Sequence, residues 1–110
     1  MTPPGLAIRP AEWEIVREIL DKHVPQREVW AFGSRVAPTS KPFSDLDLTI
    51  LGEQPLTLSL LGELSDAFTA SDLPFKVDIV DWATASATFR KIIKDGHVVL
   101  QAGSAGPSWS

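Results

Sequence analysis

The segment DLDLTIL, residues 45–51, constrains the fold more than any other stretch of the chain. Side chains on a strand alternate between faces, so Leu46, Leu48 and Ile50 share one side and Asp45, Asp47 and Thr49 the other. The leucine side has an obvious home in a core. The aspartate side does not, because gathering two like charges away from water is costly unless a cation neutralises them. A hard divalent ion held by carboxylates, with phosphate oxygens completing its shell, is the usual arrangement for Mg²⁺. One strand therefore predicts both a sheet with an apolar face and a carboxylate site on its reverse.

The rest of the chain limits what else such a site can use. With 110 residues, one domain with one modest core is expected. There are no cysteines, which removes disulfides and thiolate metal sites and fits a reducing, cytoplasmic setting. Two histidines far apart in sequence, His23 and His97, do not suggest a zinc centre. A net charge of -4 lacks the basic surplus that non-specific nucleic-acid binding feeds on. No apolar run approaches the roughly 18 residues of a membrane span, and the start, MTPPGLAIRP, has no basic region followed by an apolar one. Chemistry must rest on carboxylates, hydroxyls, backbone amides and a few basic residues.

Along the chain, PAEWEIVREILDKH (10–23) reads as a helix: Trp13, Val16, Leu20 and Val24 fall near helical spacing, Pro10 suits the first turn and Pro25 stops it. EVWAF (28–32) reads as a strand that ends in a turn at Gly33-Ser34, and residues 45–51 as the next strand. Residues 56–71 read as a helix, 75–82 as a strand after Pro74, 84–96 as a helix closed by Gly96, and HVVLQ (97–101) as a short last strand. The order α-β-β-α-β-α-β predicts an α/β or α+β layer fold over residues 1–101. The small-residue composition of 102–110 predicts a mobile tail.

Two further features bear on the carboxylates. A glycine at a strand end lets a phosphate approach the backbone, and the amides of the following turn, with the Ser34 hydroxyl, can donate to its oxygens. In FKVDIVDW (75–82), Asp78 can face the same side as Asp45 and Asp47 if this strand pairs with 45–51. Asp81, at an odd offset, points elsewhere and suits structural hydrogen bonding. Gly-Ser after a strand, or Asp-x-Asp, is by itself an ordinary turn or strand end. The full set (strand, Gly-Ser, a loop, Ser-Asp-x-Asp on a strand, a later strand aspartate) supplies the parts of phosphoryl or nucleotidyl transfer.

GSRVAPTSKPFSDLDLTI (33–50) resembles the signature of the minimal nucleotidyltransferases, the small single-domain branch of the DNA polymerase β-like superfamily. KVDIVDW is similar to the later strand that brings a third aspartate, and FRKIIKDGHVVLQ to the closing helix and strand. The resemblance covers roughly residues 10–101. It implies a mixed β-sheet of three to four strands backed by helices on one side, with Mg²⁺ and ATP at the open face. Gly33, Ser34, Arg35 and Ser44 are then nucleotide-binding candidates. Asp45 and Asp47 bind metal, and Asp78 binds metal or activates the acceptor hydroxyl. The resemblance also implies a HEPN-domain toxin as partner, adenylylated on a tyrosine and silenced by this chain as antitoxin. One departure stands out: Pro38 occupies a position where the family commonly has glycine, and it cannot reproduce a positive φ.

Other residues have competing readings. Arg35 either contacts phosphate or is solvated on a short helix; Lys76 either touches phosphate or balances the carboxylates; Lys41 reads as solvated and His97 as structural. Trp13, Trp30 and Trp82 read as core or interface residues. So small a domain leaves the acceptor site to be completed by a second chain, in a homo- or hetero-oligomer. The rival function is a degenerate transferase fold that neutralises a toxin by contact alone. Transfer to a small molecule would call for an extra domain to hold it.

Overall fold

The computed structural model describes residues 2–36 and 44–103. Pro38 and Lys41, together with the turn's continuation, lie outside the described residues, as does Trp109. Helix α1 (Pro10–His23) begins with Pro10 in its first turn, and the Glu12 carboxylate accepts from the Arg9 N–H at 2.8 Å. Strand β1 (Val29–Phe32) runs into a single 3-10 turn, Gly33–Arg35. Strand β2 (Leu46–Ile50), helix α2 (Leu58–Ala70) and strand β3 (Val77–Asp81) follow. A second 3-10 turn, Trp82–Thr84, leads into helix α3 (Ala87–Asp95) and strand β4 (His97–Gln101). Among the described residues no helix is long and apolar enough to cross a membrane.

The sheet order is β3-β2-β1-β4. Strand β1 is antiparallel to both β2 and β4, and β2 is parallel to β3. A parallel neighbour needs a crossover, and α2 provides it. Leu46, Leu48 and Ile50 are wholly buried, as the alternation of residues 45–51 predicts. They join Val29 and Ala31 of β1, Trp13, Val16 and Leu20 of α1, and Leu64 and Phe68 of α2 in one core.

The expectation of helices on one side holds for α1 and α2 and fails for α3. Phe89 and Ile93 of α3 pack with Trp30, Phe32 and Trp82 in a second cluster on the reverse of the sheet. The side chain of Phe89 meets Phe32 edge-on at 5.7 Å between centroids. Trp30 meets Trp82 in the same manner at 5.4 Å and stacks on His97 at 3.9 Å. Three aromatic residues on a strand pair and its flank leave too much apolar surface for water, and the amphipathic α3 covers it. The reverse face is thus half roofed, and the carboxylates occupy the part beyond the aromatic cluster.

Candidate active site

Phe32 stands opposite Asp47 in the β1–β2 ladder, and Asp47 stands beside Asp78 in the β2–β3 ladder. Residues paired across a ladder project to the same side. Asp47 and Asp78 therefore share the reverse face on neighbouring strands, at the end where β1 stops and β2 and β3 begin. Asp45 lies one residue before β2 and is exposed. Burial and the negative charges of Asp78 and Asp45 push the Asp47 carboxyl above the usual aspartate range. Lys76 Nζ lies 3.6 Å from Asp78 Oδ1, but its side chain is 73% exposed, so water screens most of that attraction.

Gly33 completes one wall. Its φ is +82°, a left-handed conformation that β-carbon-bearing residues rarely adopt. A β-carbon added there would run into the Asp47 carboxylate, so the backbone of the turn and this carboxylate are close neighbours. Ser34 follows, exposed. Glycine serves two needs here: the turn must bend sharply after β1, and it must do so against a charged side chain.

Arg35 sits otherwise than either reading of the sequence. It is buried, with its Nε donating to the Ser44 carbonyl at 2.9 Å and one terminal nitrogen to the Ala7 carbonyl at 2.7 Å. Its guanidinium lies 3.9 Å from the centre of the Phe75 ring. The Ala7 N–H in turn donates to the Arg35 carbonyl at 2.8 Å. The side chain thus ties the segment before α1 to both ends of the 33–44 connection, with Ser44 at its far end. No local signal in the sequence marks Ala7, a partner 28 residues away.

Asp81 behaves as alternation predicts. Its carboxylate accepts from the Leu56 N–H at 2.9 Å and the Ala83 N–H at 3.3 Å, on the side away from Asp78. His97 Nδ1 lies 3.0 Å from the Lys94 carbonyl, a structural role beside its stack on Trp30. Alternation gives Thr49 no further part than sharing a face with the aspartates. It is wholly buried, and its hydroxyl has no hydrogen-bond partner among the described residues.

Among the described residues no three carboxylate or imidazole groups are gathered as a ready-made metal site. The donor chemistry nonetheless suits Mg²⁺: all oxygen, and mutually repulsive in a way that a cation would relieve.

A turn with a left-handed glycine against one of two side-by-side strand aspartates suits nucleotidyl transfer, with a backbone cradle for phosphate beside carboxylates for a cation. Residues 14–104 match the family model described as polymerase beta, nucleotidyltransferase, and the chain belongs to that family. It is 50% identical over 96 residues to the probable protein adenylyltransferase MntA of Haemophilus influenzae, covering 87% of this chain and 84% of that protein. Among solved structures, it resembles a toxin–antitoxin with AMP-PNP at 25% identity and a TM-score of 0.69, over 84% of this chain and 74% of that one. A tri-AMPylated Shewanella oneidensis HEPN toxin in complex with MNT antitoxin matches at 21% identity and a TM-score of 0.64, over 88% and 74% of the respective chains, which supports the fold alone.

Proposed function

We propose that this chain is a cytoplasmic protein adenylyltransferase that moves AMP from ATP to a tyrosine hydroxyl of a HEPN-domain toxin and so acts as its antitoxin. The observation that carries the reading is the register of Asp47 beside Asp78, with Gly33 against Asp47. The relative that is 50% identical, a probable protein adenylyltransferase, supports a protein as acceptor.

In this reading Gly33 and Ser34 cradle the triphosphate through backbone amides and a hydroxyl, with Ser44 at the other end of the connection. Arg35 is a positioning residue: its bonds to Ala7 and Ser44 hold the turn in place. Asp45, Asp47 and Asp78 are the residues that would hold Mg²⁺. When bound, that ion neutralises the carboxylates and draws charge from the phosphate oxygens. The acceptor oxygen attacks the α-phosphorus, the bond to the β-phosphate breaks, and pyrophosphate leaves. Asp78 takes the acceptor's proton in this reading, which its partial exposure on an edge strand supports.

The test is incubation of the purified chain with its cognate HEPN-domain protein, Mg²⁺ and ATP labelled on the α-phosphate. Stable, hydroxylamine-resistant label on tyrosine supports the proposal. Neutralisation of the toxin with no label transferred would give the function to contact alone.

A further inference from the structure

We infer that the free edge of β3 is the docking site for the acceptor protein, which adds an extended segment to the sheet there; this rests on the adenylyltransferase reading. Strand β3 is an outer strand. The Leu46 N–H donates to the Lys76 carbonyl at 2.9 Å, which fixes the phase of the ladder. Backbone groups alternate sides along a strand, so Asp78 and Val80 turn theirs toward β2, while Val77 and Ile79 turn theirs outward. Among the described residues, nothing accepts from or donates to those outward groups. An unpaired row of this kind is a template for an added extended strand.

The space beside that row is shaped for such a segment. A groove of about 570 Å³ runs between β3 and α2, walled by Leu61, Phe68, Leu73 and Phe75, with Ser65 and Thr69 on its helical rim. Lys76 and Asp78 also line it, so the groove is continuous with the carboxylate face. Side chains of an added strand would alternate. Those on one side enter the apolar groove beneath α2. A hydroxyl-bearing side chain on the other side, in register with Asp78, would stand about 5 Å from it, the ordinary spacing of neighbours on adjacent strands. Asp47, Asp78 and the acceptor would then lie in one row across three strands. The occupant is therefore a short extended segment of the acceptor protein, with apolar residues flanking the modified one.

Two measurements test this. Hydrogen exchange on the full chain, alone and with its cognate HEPN-domain protein, should show the Val77 and Ile79 amides slowed at least tenfold in the complex. Ser65→Trp, which fills the groove from an exposed helical position, should lower AMP transfer to that protein at least tenfold while ATP affinity by calorimetry stays unchanged; Thr69→Trp is the second variant should the first fold poorly. Unchanged exchange at both amides, unchanged transfer in a folded variant, or no complex at all would overturn the docking site. Protection in the free chain that fades on dilution would give the edge to a second copy and also overturn it. A wild-type complex that protects both amides but transfers no AMP would refute the activity while leaving the docking site standing.

Discussion

The same strands build two faces of one sheet under opposite rules. On the side of α1 and α2, Val29, Ala31, Leu46, Leu48 and Ile50 are wholly buried, and each contributes to stability by leaving water. On the reverse, β2 offers Asp47 and Thr49 from the positions in between. There the Asp47 carboxyl resists ionisation because it is partly buried and two other carboxylates face it, and the Thr49 hydroxyl is buried without a partner among the described residues. One face is satisfied in the isolated chain. The other gathers like charges that a bound cation would relieve, which is how a site selected for a ligand differs from a core selected for packing.

Substitutions in adjacent residues should separate these rules. Leu48→Ala, on the packed face, should cost about 2–5 kcal/mol of stability, because it leaves a cavity in a wholly buried position. Chemical denaturation checks it, and a loss below about 1 kcal/mol would mean that the core relaxes into the space. Asp78→Ala, on the other face, should lower the single-turnover transfer rate at least about a hundredfold while hardly moving the melting temperature. Asp81→Ala should do the reverse. It strips a carboxylate from the Leu56 and Ala83 N–H groups and should cost about 1–3 kcal/mol of stability with transfer largely kept. Similar losses of rate in both variants would erase the distinction between the faces at β3.

Strand alternation alone makes this contrast legible in the amino-acid sequence. Leu46, Leu48 and Ile50 have to be core, and Asp78 has to fall beside Asp47 once the two strands pair. Helix α1 is legible for the same reason: Pro10 opens its periodic apolar stripe, and Pro25 follows close on its end at His23. The start of α2 is not. Leu56 fits the periodic pattern, yet the helix starts at Leu58 behind the Thr57 cap, and the Leu56 N–H goes to Asp81 instead. At α3, Ser86 caps the helix, and the residues before it form the Trp82–Thr84 turn. Which face α3 covers is a tertiary fact, set by the aromatic side chains of β1 and Trp82, and so is the inward aim of Arg35.

Gly33→Ala should have a smaller effect than these. A left-handed φ costs a residue with a β-carbon about 1–2 kcal/mol, and here the added carbon also meets the Asp47 carboxylate. Melting should fall by a few degrees, and ATP affinity by calorimetry should fall more steeply than stability does. Unchanged affinity would move the triphosphate away from this turn.

Asp47 carries a cost in the isolated chain that a bound cation would offset. A raised carboxyl pKa means that the folded chain holds the proton more tightly than the unfolded one. The stability this represents is complete at low pH and is lost as pH rises through the ordinary aspartate range, near 3.9, and on to the raised value. Thermal melts of the wild-type chain and Asp47→Asn, at low and neutral pH and with and without Mg²⁺ and ATP, measure this directly. Melting temperatures should be equal at low pH, and the variant should be the more stable at neutral pH without metal. Adding Mg²⁺ and ATP should raise the melting temperature of the wild type alone, with AMP transfer abolished in the variant. A variant less stable than wild type at neutral pH, and responding equally to Mg²⁺ and ATP, would mean that Asp47 neither strains the isolated chain nor holds the cation.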